Sequence, residues 1–190
     1  MLPLLMTVAV RAEEVASGRP LAPGERERLT RLYVAHSQLA WRVLRRCGLD
    51  RVRADDGLQQ VFLVVLRRMA GLRDDEMRGF VCGCAVMVAR KMKQRLGREA
   101  APLAAVPTDG PATPHQHAEH RERVALLDAV LRRFDEGLRD VFVLQVVEGL
   151  SKRETALALN LPEGTVATRL RRARSEFETV LRQLTGGADA

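Results

Sequence analysis

The sequence predicts an all-α fold in two helical blocks, and three observations carry that expectation. Aromatic residues make up only 4% of a chain that is 46% apolar. Its core must therefore be built from Leu, Val, Ala and Met, which suits packed helices better than the aromatic and β-branched faces of strands. Apolar residues recur at helical spacing on both sides of a gap. The gap, residues 97–120, holds Pro102, Pro107, Pro111 and Pro114 among Ala, Gly and Thr with no apolar period, the composition of a flexible linker. A length of 190 residues leaves room for two small domains.

In the first block, Leu29, Leu32, Tyr33, His36, Leu39, Ala40, Val43, Leu44 and Cys47 are spaced as one helix face, with arginines on the other. Asp55 and Asp56 offer N-cap chemistry for a second helix with apolar positions Leu58, Val61, Phe62, Val65 and Met69. After a polar break at Gly71 to Glu76, a third helix sets Met77, Val81, Cys84, Val88 and Met92 on one stripe. Its last turns carry Arg90, Lys91, Lys93, Arg95 and Arg98 before the first acid, Glu99. Cations favour a helix C-terminus, but five in nine residues exceed what the dipole needs, and a phosphate-facing surface is the alternative.

The second block opens with Val124, Leu127, Leu131 and Phe134 at helical spacing, followed by Leu138 to Val147, apolar on most sides and so a buried helix that Gly149 ends. Ser151 and Glu154 then form a capping box. A short helix to Leu159 follows. Asn160 suits the left-handed helix end, Leu161 can plug the turn and Pro162 suits the start of the next helix. The product is a helix-turn-helix. In its second helix Val166, Leu170, Ala173 and Phe177 face inward. The outward face mixes Glu163, Thr165, Ala167 and Thr168 near the start with Arg171, Arg172 and Arg174 further along. Short hydrogen-bonding groups followed by arginines are what a major-groove recognition helix needs. A hairpin of helices with a solvated basic face is the plainer alternative.

Composition excludes several classes. Cys47, Cys82 and Cys84 are too few and too unevenly placed for a secreted disulfide framework, and no CxxC pair accompanies His115, His117 and His120, so no metal site is expected. The apolar start Met1 to Val10 is too short for a membrane span and lacks a preceding basic residue. A cytoplasmic protein is expected. There is no phosphate-binding glycine loop, no HExxH and no nucleophile with a base at motif spacing, so neither an enzyme, a cofactor nor a small-molecule substrate is expected. The formal charge of +7 is unevenly spread: residues 29–99 carry a net +8 and residues 121–190 a net +1. The first block supplies the general attraction to nucleic acid, and binding should fall steeply with salt.

Specific motifs then point to a family. VFVLQVVEGLSKRETALALNLPEGTVATRLRRAR at 141–174 resembles region 4 of the extracytoplasmic-function class of bacterial sigma factors, with EGLS, E-x-A, P-x-GTV and RL-x-RAR in order. DDGLQQVFL at 55–63 and FVCGCAVMVARK at 80–91 resemble region 2 of the same family. The resemblance implies an N-terminal extension at 1–28, a region 2-like domain at 29–98, a linker at 99–120, a region 4-like domain at 121–185 and a tail at 186–190. It further implies a subunit that binds core RNA polymerase and directs it to promoter DNA, with an anti-sigma factor as a further partner. By resemblance Asp56, Gln59, Gln60 and Phe62 would dock on the polymerase clamp, the polar loop Met69 to Arg78 would hold an unstacked base of the −10 element, and Arg78, Arg90, Lys91, Lys93 and Arg95 would lie along DNA there. Glu163, Gly164, Thr165, Ala167, Thr168, Arg169, Arg171 and Arg172 would meet the −35 element, with Arg169, beside inward Leu170, better suited to a phosphate or an intradomain ion pair. Gly57, Gln60, Val86, Met87 and Ala167 depart from the family pattern, from which weaker or altered promoter melting is expected. Two other readings are a stand-alone helix-turn-helix regulator and a degenerate sigma-like interaction protein.

Overall fold

The computed structural model describes residues 22–98 and 114–185. Among them every regular element is helical. Helix α1 spans Pro23–Arg46, α2 Arg51–Arg68, α3 Asp74–Arg98, α4 Pro114–Arg133, α5 Glu136–Phe142, α6 Lys152–Leu159 and α7 Glu163–Thr185. Calls on residues 1–21, 99–113 and 186–190, the apolar start included, lie outside the described residues.

The first three helices pack on one another. Leu29, Leu32, Tyr33, Leu39, Ala40, Val43 and Leu44 of α1 are buried, as their spacing requires. The helix starts at Pro23, a residue whose fixed φ suits the first turn, so 23–28 belong to the bundle rather than to an N-terminal extension. Gly48, at φ +100°, turns the chain into α2. The cap of α2 is Asp50, whose side chain accepts from Arg53 N at 2.8 Å; Asp55 and Asp56 lie a turn inside the helix. Asp55 instead accepts from Trp41 Nε1 at 2.8 Å. Phe62, fully buried, packs on Tyr33 with ring centroids 4.8 Å apart.

The loop between α2 and α3 is shorter than expected. A single 3-10 turn at Met69–Gly71 leads to α3, which begins at Asp74 and has three acids in its first turn, where negative charge favours the dipole. Arg28 ties the turn down by donating to Met69 O at 2.8 Å, Leu72 O at 2.7 Å and Asp74 Oδ1 at 2.9 Å. Helix α3 is buried on more than its expected stripe: Cys82, Ala85, Val86 and Ala89 join Met77, Val81, Cys84 and Val88. It has two neighbours to satisfy, the α1–α2 pair and α6.

In the C-terminal block α4 starts at Pro114, so residues 114–120 are helical rather than part of a structureless linker. Phe134, Phe142 and Phe177 stack in sequence with centroid separations of 5.5 and 5.1 Å, joining α4, α5 and α7 around Val130, Leu131, Leu138, Val143, Ala173 and Val180. Arg139 donates to Leu131 O at 2.7 Å and Phe134 O at 3.0 Å, closing the end of α4. Helix α5 widens into a π-helical turn at Val143–Val147. There Glu148 N reaches Val143 O at 2.9 Å and Leu150 N reaches Leu144 O at 2.8 Å before Gly149, at φ +68°, turns the chain into α6.

The two blocks are packed together. Leu144 and Leu150 belong to the apolar cluster of α1–α3, with Ala158 and Leu159 of α6 against it. Gly79 and Gly83, one turn apart on α3, allow the approach. A Cβ at Gly83 would stand 2.4 Å from Ala158 O, and one at Gly79 would stand 3.3 Å from Glu154 O.

Candidate nucleic-acid interface

The helix-turn-helix is built by local rules the sequence states openly. Ser151 Oγ accepts from Glu154 N at 3.1 Å while Glu154 Oε2 accepts from Ser151 N at 2.8 Å, a complete capping box. Those bonds hold the Glu154 carboxyl below its ordinary range, the bond from the Ser151 backbone most of all. Asn160 takes the left-handed conformation, φ 50° and ψ 51°, and Leu161 N closes the turn on Ala156 O at 2.9 Å. Val141, Ala156 and Val166 lock α5, α6 and α7 together, with Leu159, Leu161 and Leu170 around them.

That packing leaves one face of α7 in solvent. Glu163, Gly164, Ala167, Thr168, Arg171, Arg172 and Arg174 are exposed and Thr165 is half-buried. Thr168 Oγ1 donates back to Gly164 O at 3.0 Å, and Glu163 pairs with Lys152 at 3.0 Å, fastening the start of α7 to α6. Arg169 is half-buried and turned inward, its Nη1 3.2 Å from where a Cβ of Gly137 would lie. It therefore braces α7 against α5. The face that remains runs from small polar groups to three arginines along about three turns.

The basic residues of the first block sit differently. Arg90 is ion-paired with Asp140, and Lys93 with Glu136 at 2.5 Å. Arg78 donates to Glu148 O at 2.7 Å and Gly149 O at 3.4 Å and stands 3.7 Å from Glu154 Oε1. Lys91 and Arg95 are exposed. Nearby, Arg42 grips the buried Glu148 carboxylate at 2.8 Å, with Arg46 at 3.5 Å. Asp140 is buried and also accepts from the Cys47 thiol at 3.7 Å. Burial raises the Asp140 carboxyl above its ordinary range, with Arg90 working against that rise. Glu136 is held low, chiefly by its hydrogen bond from Lys93.

Of the residues expected on a polymerase-facing surface, Asp56 is exposed and Gln59 and Gln60 are half-exposed on α2. Phe62 has no exposed surface, so it holds α2 in the bundle and touches no partner. The loop expected from Met69 to Arg78 reduces to residues 69–73, since Arg78 lies on α3. Burial pushes the Cys82 thiol up to about 12 and Cys84 to about 11, and raises Cys47 as well, leaving three unreactive core thiols. Among the described residues no three His, Cys, Asp or Glu side chains gather as metal ligands, and no helix is long and apolar enough to cross a membrane.

Sequence reasoning passed over Asp140 and Glu148. The signal was present: an aspartate inside the apolar run 138–147 and a glutamate just after it must be paired if they are buried. Their partners are far along the chain, Arg90 on α3 and Cys47 at the end of α1 for Asp140 and Arg42 on α1 for Glu148, which no local pattern reveals.

Comparison with known proteins agrees with this architecture. Residues 125–177 match the family model described as Sigma-70, region 4. The chain is 29% identical over 170 residues, 87% of its own length and 79% of the relative's, to the ECF RNA polymerase sigma factor SigD of Mycobacterium bovis and of Mycobacterium tuberculosis. Its fold matches CnrH, from a structure of CnrH in complex with the cytosolic domain of CnrY, with a TM-score of 0.63 at 22% identity over 98% of this chain and 99% of that one. The C-terminal block, with its exposed, arginine-bearing second helix, is thus similar to sigma-70 region 4, and the two-block fold to that of CnrH. Over most of its length the chain is similar to ECF RNA polymerase sigma factors.

Proposed function

We propose that the protein binds core RNA polymerase and directs it to promoters, with α7 reading the −35 element and the α2–α3 region engaging the −10 element. The observation that carries this reading is the solvent face of α7. It offers Thr165, Ala167 and Thr168 to base edges near the helix start and Arg171 and Arg172 to phosphates or guanine further on, on a scaffold rigidly capped at Ser151 and Asn160. Exposed Asp56, with Gln59 and Gln60, forms the polar surface of α2 suited to the polymerase clamp. Lys91 and Arg95 are open to DNA in the arrangement seen, whereas Arg78, Arg90 and Lys93 reach phosphates only once released from their acidic partners.

Two of the departures that favour a degenerate scaffold have packing reasons in this chain, whereas exposed Met87 has none. Gly57 makes room for Leu44 and Met92, and Val86 is a core residue. A polymerase-independent regulator leaves the polar α2 surface and the basic end of α3 without a role. A protein inhibitor remains part of the proposal, supported by the fold's likeness to CnrH, which was solved against the cytosolic domain of a second protein.

The test is a pull-down of the full chain with core RNA polymerase, followed by permanganate footprinting of the holoenzyme upstream of its own gene. Polymerase capture with reactive thymines near −10 is expected, and Arg171→Ala with Arg172→Ala should weaken promoter binding and lower its salt slope by about 2. Salt-sensitive DNA binding with no capture by polymerase would favour the stand-alone regulator. Capture with no opened thymines would favour the degenerate scaffold.

A further inference from the structure

Three of the five cations that the −10 reading requires are held by acids of the other block. Lys93 meets Glu136, Arg90 meets Asp140, and Arg78 meets Glu154 and the carbonyls of Glu148 and Gly149. The acids Glu136, Asp140 and Glu154 come from the start and middle of α5 and the first turn of α6, so they follow α3 as a row. A row of carboxylates along a basic helix presents the same charge pattern as a strand of phosphates. Beneath the row, Gly79 and Gly83 admit the α6 backbone to contact with α3.

We propose that the chain carries its own DNA mimic: Glu136, Asp140 and Glu154 occupy the cationic face of α3, so that this closed arrangement and duplex binding by that face exclude each other. The proposal rests on the nucleic-acid reading of Arg78, Arg90 and Lys93. Opening exposes Leu144 and Leu150 as well as freeing the cations, so DNA alone opens the chain only in part, and a partner that covers those leucines completes the change. Part of the salt dependence of DNA binding is then hidden. Salt opposes phosphate contacts but promotes opening, so the closed chain has a shallower salt slope than an opened one.

Two variants of the full chain test this by different physics. Glu136→Gln with Asp140→Asn removes charge from the mimic, and Gly83→Leu leaves every charge in place but drives a side chain into Ala158 O. Dyes on Val52→Cys and Ser175→Cys, both exposed, report the separation of the blocks by energy transfer, and circular dichroism verifies that each variant keeps its helices. Both variants should show lower transfer and bind a short random-sequence duplex about tenfold more tightly, within the usual range for coupled equilibria. Saturating duplex should also lower transfer in the unmodified chain.

If Gly83→Leu opens the chain without tightening DNA binding, the gain in the charge variant is only net charge and the exclusion is wrong. Unchanged transfer at saturating duplex would overturn it as well, since DNA would then bind the closed form. If transfer falls in both variants but neither binds duplex, the failure lies in the nucleic-acid reading of α3, and the mimic falls with it.

Discussion

Gly57 shows how one residue can be misjudged from its neighbours in a family and understood from its neighbours in space. In the middle of α2 it costs about 1 kcal/mol of helix propensity relative to alanine. A Cβ there would stand 3.1 Å from Leu44 Cδ2 and 3.4 Å from Met92 Sδ, so the missing side chain is what lets α1 and α3 close over α2. Gly57→Leu, which restores a large apolar residue, should therefore lower stability by about 1–3 kcal/mol through overpacking, read as a shift in the urea midpoint. Phe62 errs in the opposite direction: the motif suggests contact with a partner, and its complete burial gives it a packing task instead. The place of Arg169 beside inward Leu170 marks a side chain at the edge of the core, but not its approach to Gly137 of α5. Asp140 was not legible, because its meaning depends on Arg90 and Cys47, which only the tertiary fold brings near.

At the scale of elements, what could be read was what local chemistry decides. The capping box, the left-handed Asn160 and the inward stripe of α7 all rest on interactions within a few positions, and each is found where the sequence puts it. Ser151→Ala should cost about 1 kcal/mol, the usual loss for an N-cap, measured by thermal unfolding. Thr155 Oγ1 bonds to the Ser151 carbonyl at 2.9 Å, which stays intact, so α6 should loosen at its first turn without losing its place. Boundaries were less legible. Proline at the head of α4 looks like linker composition until a helix follows it, and Asp50 was hidden as a cap because Asp55 and Asp56 offer the same chemistry a turn later. The extra burial of α3 arises from α6, an element far along the chain that no periodicity within α3 announces.

Across the whole molecule, the charge asymmetry read from the sequence has a structural counterpart. Part of the cation excess in residues 29–99, Arg78, Arg90 and Lys93, faces the acids of α5 and α6, and the nearly neutral second block leaves Arg171, Arg172 and Arg174 on the outer face of α7. The two-block organisation was legible from the proline-rich gap, and the class of fold from the poverty of aromatics. Their mutual packing was not, since nothing in a helix-turn-helix motif tells that the turn leading from α5 into it lies on another domain's core.

The leucines of that turn change what the word domain means for this chain. Leu144 and Leu150 are encoded in the second block but buried in the cluster of the first, and burying each such side chain is worth about 1.5–3 kcal/mol. Neither block finishes its own core, so heat should melt the closed chain in a single calorimetric transition with equal van't Hoff and calorimetric enthalpies, where self-sufficient domains would give two. A protease that cuts between α3 and α4 should leave a nicked pair that still travels as one species through gel filtration. Covalent continuity and cooperative unity are thus separate properties here, the first residing in the linker and the second in two side chains beside Glu148.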